Sequence, residues 1–233
     1  MTLYTSLSPN PAAAEIQRAC VQSWLDHGHD VVCVQGHDDD VSASLPSGSN
    51  GADVLYVKPT IAGKRRRPYV SLDSILDVFL ASGEPHCALI NGDIAIDDPA
   101  GLIEASVATG SLICGRRWDH NGDRANPVEF TSGYDLFVLH REHALAVPRS
   151  LFVLGQTWWD YWLPWSCSVA GHRLNTFPEP VIYHKRHPLN YDNTDWLRMT
   201  QHFCWLTHRA NMSQPQRVSG EIHAAINKAI ATT

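Results

Sequence analysis

The sequence predicts an α/β protein built on a doubly wound, mostly parallel sheet, and three observations carry that prediction. Short apolar runs alternate with amphipathic helical stretches through the first half of the chain. Polar residues, many of them carboxylates, stand directly after those runs, where open α/β sheets bind their ligands. No repeat, low-complexity tract or linker divides the chain, and 233 residues with 44% hydrophobic content suffice for a single domain spanning residues 1–233.

The elements follow in order. Residues 3–7 (LYTSL) form a first strand, stopped by the Pro-rich SPNP, with Thr5 and Ser6 near its end. In residues 12–28, Ala13, Ile16, Cys20 and Trp24 recur at helical spacing and Gly28 closes the last turn. A second apolar run, residues 30–35, leads into Asp38, Asp39 and Asp40; a polar loop and a third strand at residues 53–57 come next. The basic knot Lys64, Arg65, Arg66 and Arg67 precedes a helix whose apolar face is Leu72, Ile75, Leu76, Phe79 and Leu80, ended by Gly83. Residues 87–98 (CALINGDIAIDD) begin as a buried strand and break into Asn91, Gly92 and Asp93. Asp98 followed by Pro99 predicts a helix start, with the helix ending near Gly110 and a further strand at residues 111–114. From Arg116 onward the βα rhythm fades, and all eight tryptophans except Trp24 lie there. The chain therefore reads as two lobes of one domain, about 1–115 and 116–233.

Composition narrows the function. With 24 acidic against 18 basic residues the chain is mildly negative, which argues against a general nucleic-acid binder. Six scattered cysteines without a C-x-x-C give neither a zinc knuckle nor a disulfide framework, so reduced thiols and a cytoplasmic setting are expected. The N-terminus lacks the pattern of a signal peptide, and no apolar run is long enough to span a bilayer. The phosphate cradles G-x-x-x-x-G-K-S/T and G-x-G-x-x-G are also missing.

The chemistry concentrates in a few places. An aspartate at the lip of a core strand needs a donor, a base or a metal, so Asp93, with Asn91 beside it, either binds a divalent cation through hard oxygen ligands or caps the Asn91–Gly92 turn. Arg116 and Arg117 follow a strand end and, like Lys64 and Arg65, suit phosphate oxygens or serve as solvated loop charges. Asp135 stands after a glycine and before an apolar run. Thr157 is placed to cap a helix whose first turn carries Asp160 among Trp158, Trp159, Trp162 and Trp165. Sugar rings stack on aromatic faces and a nearby carboxylate can take a hydroxyl proton, although tryptophans equally fill cores. His184 follows another apolar run, with Lys185, Arg186 and His187 adjoining.

A first strand ending in Thr/Ser, a second ending in acidic residues and a central strand ending in an Asp-x-Asp-like element resemble the GT-A type of nucleotide-sugar glycosyltransferase. The resemblance implies a GT-A-like fold with a Trp-rich acceptor lobe and a sugar moved from a nucleotide diphosphate to a carbohydrate or glycoconjugate hydroxyl, with inversion. Asp93 matches the last carboxylate of the acidic element and Asn91 replaces the first, an Asn-x-Asp variant. Mn²⁺ or Mg²⁺ would then bind at Asp93, with His184 as a late-chain ligand. Thr5, Ser6, Asp38, Asp39, Lys64, Arg65, Asn91, Asp93, Arg116 and Lys185 would hold the donor, and Asp160, or failing it Asp135, would be the base. Two competitors stand beside this reading: a sugar-1-phosphate nucleotidyltransferase, whose Gly-rich basic loop is missing after the first strand, and a non-catalytic carbohydrate-binding module.

Overall fold

The computed structural model describes residues 1–48, 51–62, 67–187, 193–208 and 215–231. In chain order the first half contains β1 (Thr2–Thr5), α1 (Ala14–Asp26), β2 (Asp30–Gly36), β3 (Ala52–Val57), the hairpin β4 (Thr60–Ala62) and β5 (Arg67–Tyr69), α2 (Leu72–Ser82), β6 (His86–Ile90), β7 (Ile94–Ile96), α3 (Leu102–Ser106) and β8 (Leu112–Gly115). The second half contains β9 (Trp118–His120), β10 (Val128–Glu129), β11 (Leu136–His140), α4 (Arg141–Ala146), α5 (Trp159–Val169), β12 (Leu174–Asn175), β13 (Ile182–Lys185), α6 (Asn193–Leu206) and α7 (Pro215–Ala231).

Seven strands form the central sheet in the order β12-β8-β11-β6-β1-β2-β3. All neighbours pair parallel except β11, which runs antiparallel to both β6 and β8. The period of two along each strand explains why both faces are covered. Leu3, Ala88, Ile90, Leu136 and Val138 point into a core shared with α1 and α3, while Tyr4, Leu89, Phe137 and Leu139 point into a second core under α2, α5, α6 and α7. The predicted doubly wound sheet is therefore present.

Several local expectations change. The first strand ends at Thr5, whose hydroxyl donates to the Ile90 carbonyl at 2.8 Å and so ties β1 to β6. Asp98 does cap a helix, accepting from the Leu102 and Ile103 amides at 2.8 Å each, but Pro99 and Ala100 form a turn first; the α-helix Leu102–Ser106 then runs on as a 3-10 turn, Val107–Thr109, and ends at Gly110 as expected. Thr157 does not cap α5. Trp158 takes the cap position instead, in the left-handed region with φ 79°, and makes no side-chain cap hydrogen bond. The four clustered tryptophans are packing residues rather than an open sugar platform: Trp158, Trp159 and Trp162 are buried, and Trp165 packs edge-on against Phe203 in the same core.

A second sheet, β10-β9-β13-β7, stands at the carboxyl end of β6. Its strand β7 is anchored by α1, because Trp24 Nε1 donates to the Ile94 carbonyl at 2.7 Å and Ser23 Oγ accepts from the Ile96 amide at 3.0 Å. Trp24→Phe keeps most of the buried ring but deletes a buried donor. It is expected to cost about 1–3 kcal/mol in urea unfolding. A loss below about 0.5 kcal/mol would show that the clamp on β7 lies elsewhere.

Candidate active site

Register builds the site. In the second sheet His184 stands opposite Ile94 of β7 on one side and opposite Asp119 of β9 on the other. Asp93, immediately before Ile94, is thereby brought to His184 and His187. His187 Nε2 lies 3.2 Å and His184 Nε2 3.7 Å from Asp93 Oδ2. One ligand atom from each of Asp93, His184 and His187 lies within 4.8 Å of the others, a spacing suited to one cation. The Asp93 side chain is 35% exposed. Burial opposes its ionisation, but hydrogen bonds and the charges of His184 and His187 prevail and hold the carboxyl well below the usual range.

Hydrogen bonding decides which imidazole nitrogen is available. His184 Nδ1 lies 3.0 Å from Asp119 Oδ1, and a carboxylate oxygen accepts, so a proton sits on Nδ1; Nε2, on the Asp93 side, is the nitrogen that would give its lone pair to a cation. A second cluster of Glu142, His143 and His172 has similar spacing but the opposite chemistry. His143 Nδ1 accepts from the His140 amide at 3.0 Å, which puts the ring proton on Nε2. Burial, with His172 and His140 nearby, lowers this histidine to about 4, so it is neutral and presents an N–H where a metal needs a lone pair. Of these two clusters of described residues, the first fits a cation.

The acceptor side joins it through Asp135. This buried carboxylate receives Asn91 Nδ2 at 2.5 Å on Oδ1 and Arg117 Nη1 at 3.1 Å on Oδ2. Arg117 also donates from Nε to Asp119 at 2.9 Å, and its guanidinium lies 3.9 Å from the Phe130 ring centre. Burial raises Asp135, with Arg117 pulling the other way. Asp160, in the first turn of α5, is the next carboxylate. Burial and then the charge of Asp135 push it up to about 7, against the amides of Asp160 and Tyr134 and the charge of Arg117.

Two glycines permit close approach. A Cβ at Gly92 would meet Leu7 Cδ2 at 2.9 Å and the Ser6 carbonyl at 3.3 Å, which keeps the turn after β6 against the end of β1. A Cβ at Gly133 would meet Asp160 Oδ2 at 2.6 Å. Gly133→Ala must therefore displace the Asp160 carboxylate or the loop, and a 10- to 100-fold drop in turnover is expected, on the order of what small misplacements cost. Turnover within twofold of wild type would show that the Asp160 position is not critical.

The sequence-derived candidates divide accordingly. Asn91, Asp93, Asp135, Asp160 and His184 come together in one cluster. Asn91 does not sit as a simple stand-in for a first carboxylate: its amide nitrogen is committed to Asp135, while its Oδ1 is buried with no partner among the described residues. Ser6 is half-buried, with Oγ 3.5 Å from the Gln35 side chain, and Asp39 closes its own turn by accepting from the Gly36 amide at 3.0 Å. Asp38 and Lys185 are exposed. Arg116 turns away from the cluster, pairing with Glu129 at 3.1 Å and donating to Asn227 of α7, which also accepts from the Tyr134 hydroxyl at 2.7 Å. Lys64 and Arg65 lie outside the described residues. Asp119 is a member to which the sequence assigns no role, while Arg117 and His187 stand in it only as basic residues suited to phosphate, beside Arg116 and His184. Their motifs, RRWD and HKRH, were visible, but which basic residue faces inward depends on strand pairing.

No family model matches the chain, and no curated protein matches it in sequence. Solved structures do. The mannosyltransferase PcManGT from Pyrobaculum calidifontis, in complex with GDP-Man and Mn²⁺, is similar over 99% of this chain and 72% of its own, with a TM-score of 0.55 at 13% identity. The chain has the fold of a GT-A type glycosyltransferase. TarS from S. aureus, residues 1–349, is similar over 95% of this chain and 69% of its own, with a TM-score of 0.54 at 10% identity. The six cysteines are buried, and among the described residues no helix is long and apolar enough to cross a membrane.

Proposed function

We propose that this chain is an inverting glycosyltransferase, moving a sugar from a nucleotide-diphosphate donor to a hydroxyl of a carbohydrate or glycoconjugate. The reading treats residues 1–233 as one domain, with a donor lobe of about 1–115 and an acceptor lobe of about 116–233. One observation carries it: in a GT-A-like fold, a cation-type cluster of Asp93, His184 and His187 is joined through Asp119, Arg117 and Asp135 to a half-buried carboxylate, Asp160, that titrates near neutrality. The Mn²⁺ of the mannosyltransferase complex supports the same assignment of the cluster here.

Asp93, His184 and His187 would hold Mn²⁺ or Mg²⁺, and a bound cation supplies positive charge for the departing diphosphate. Asp160, once deprotonated, takes the proton of the acceptor hydroxyl as that oxygen forms its bond to the anomeric carbon. The bond from that carbon to the diphosphate oxygen breaks in the same displacement, and the nucleoside diphosphate leaves with the electron pair. Asp135 is placed to assist rather than to act as base, because both its oxygens are engaged within the chain; its charge keeps Asp160 basic enough to accept a proton. Ser6, Asp38 and Asp39 lie at or just beyond strand ends, where the nucleoside would bind. Thr5 would support that edge through its bond to β6.

A panel of sugar nucleotides tests this directly. Release of free nucleoside diphosphate, dependent on an added glycan acceptor, is the expected result. Release of pyrophosphate from a sugar phosphate and a nucleoside triphosphate would make the chain a nucleotidyltransferase. Glycan binding without release of either would make it a carbohydrate-binding module.

A further inference from the structure

We propose that Asp119 is a positioning residue that makes His184 a cation ligand by fixing its tautomer, with Arg117 holding Asp119 in place. The inference rests on reading Asp93, His184 and His187 as a cation site. The geometry is set by backbone register, since His184 and Asp119 are paired residues of the parallel strands β13 and β9. His184 is buried, and its Nδ1 lies 3.0 Å from Asp119 Oδ1. The same oxygen receives Arg117 Nε at 2.9 Å, and Arg186 Nε lies 3.8 Å from Asp119 Oδ2.

This arrangement has a chemical consequence. A neutral imidazole carries one proton, and the nitrogen without it is the only one that can ligate. When the ring is neutral, Asp119 would keep that proton on Nδ1 and leave the Nε2 lone pair for a cation in the space shared with Asp93 and His187. A carboxylate behind a ligating histidine also raises its basicity and holds the ring in one orientation. Arg117 extends the arrangement, because the guanidinium that holds Asp119 also holds Asp135. Asp119 itself touches neither donor nor acceptor in this reading.

The test uses the full chain without a donor sugar. In wild-type protein labelled with ¹⁵N-histidine, long-range ¹H–¹⁵N spectra of the metal-free state are expected to show the His184 proton on Nδ1. A metal-free His184 with no proton on Nδ1 overturns the proposal without any substitution. Mn²⁺ binding followed by electron paramagnetic resonance is expected to weaken about 10- to 100-fold in Asp119→Ala, as losses behind a metal ligand usually do. An Asp119→Ala affinity within twofold of wild type, while Asp93→Ala abolishes binding, overturns the positioning role and leaves the cation site standing. Wild-type affinity in Asp93→Ala overturns the cation reading and the role of Asp119 with it.

Discussion

Asp160→Asn should lower turnover by on the order of 10²–10⁴-fold while donor affinity stays near wild type, because a general base contributes in the transition state rather than in donor binding. The substitution preserves volume but removes the proton acceptor. With Asp160 pushed up to about 7, the wild-type rate should rise through neutral pH as the carboxylate forms, and that limb should vanish in the Asn variant. Stability gives an independent readout of the opposite sense. A carboxyl whose folded pKa lies above its unfolded value favours the protonated native state, so its contribution is full below the unfolded pKa and is lost as pH rises through about 7. Asp160→Asn should therefore gain stability relative to wild type on going from pH 5 to pH 8. Steady-state kinetics and thermal unfolding across that range check both signs. Near-normal turnover in a folded Asp160→Asn protein would remove it from the mechanism and leave Asp135 as the next carboxylate to test.

The second large effect is expected at Asp93. Asp93→Ala removes the carboxylate that both histidines face, and should abolish Mn²⁺ binding and reduce turnover by about 10²–10³-fold, the scale of losing one charge-stabilising group. Excess chelator should reproduce the loss in wild-type protein, and Mn²⁺ or Mg²⁺ should reverse it. The fold should survive, because Asp93 follows the core strand β6 and is partly exposed. Full activity in chelator would transfer the diphosphate charge to basic side chains, with Lys185 and Arg186 the described residues closest in sequence to the site. Unchanged donor affinity in a folded Asp93→Ala protein would detach this carboxylate from donor binding.

Local pattern by itself determined the alternation of strands and helices, because periods of two and of 3.6 are properties of the backbone and need no partner to be visible. It also placed Asn91, Asp93 and Asp160 at the ends of elements, where side chains escape the core. Only tertiary structure decided what those residues meet. His187 reaches Asp93 across 94 positions, and Asn91 reaches Asp135 across 44, through strand pairings that no local window contains. Arg116 and Arg117 are equivalent as sequence; pairing around β9 turns Arg117 toward Asp119 and Asp135, while Arg116 engages Glu129 and α7. The tryptophans around Asp160 read equally as a sugar platform or as core until α6 and α7 packed over them, since burial is a property of the assembled layers. The choice between two histidine clusters was more distant still from the sequence: it depends on which nitrogen finds a backbone amide and which finds a carboxylate, a matter of about 3 Å that only the folded chain sets.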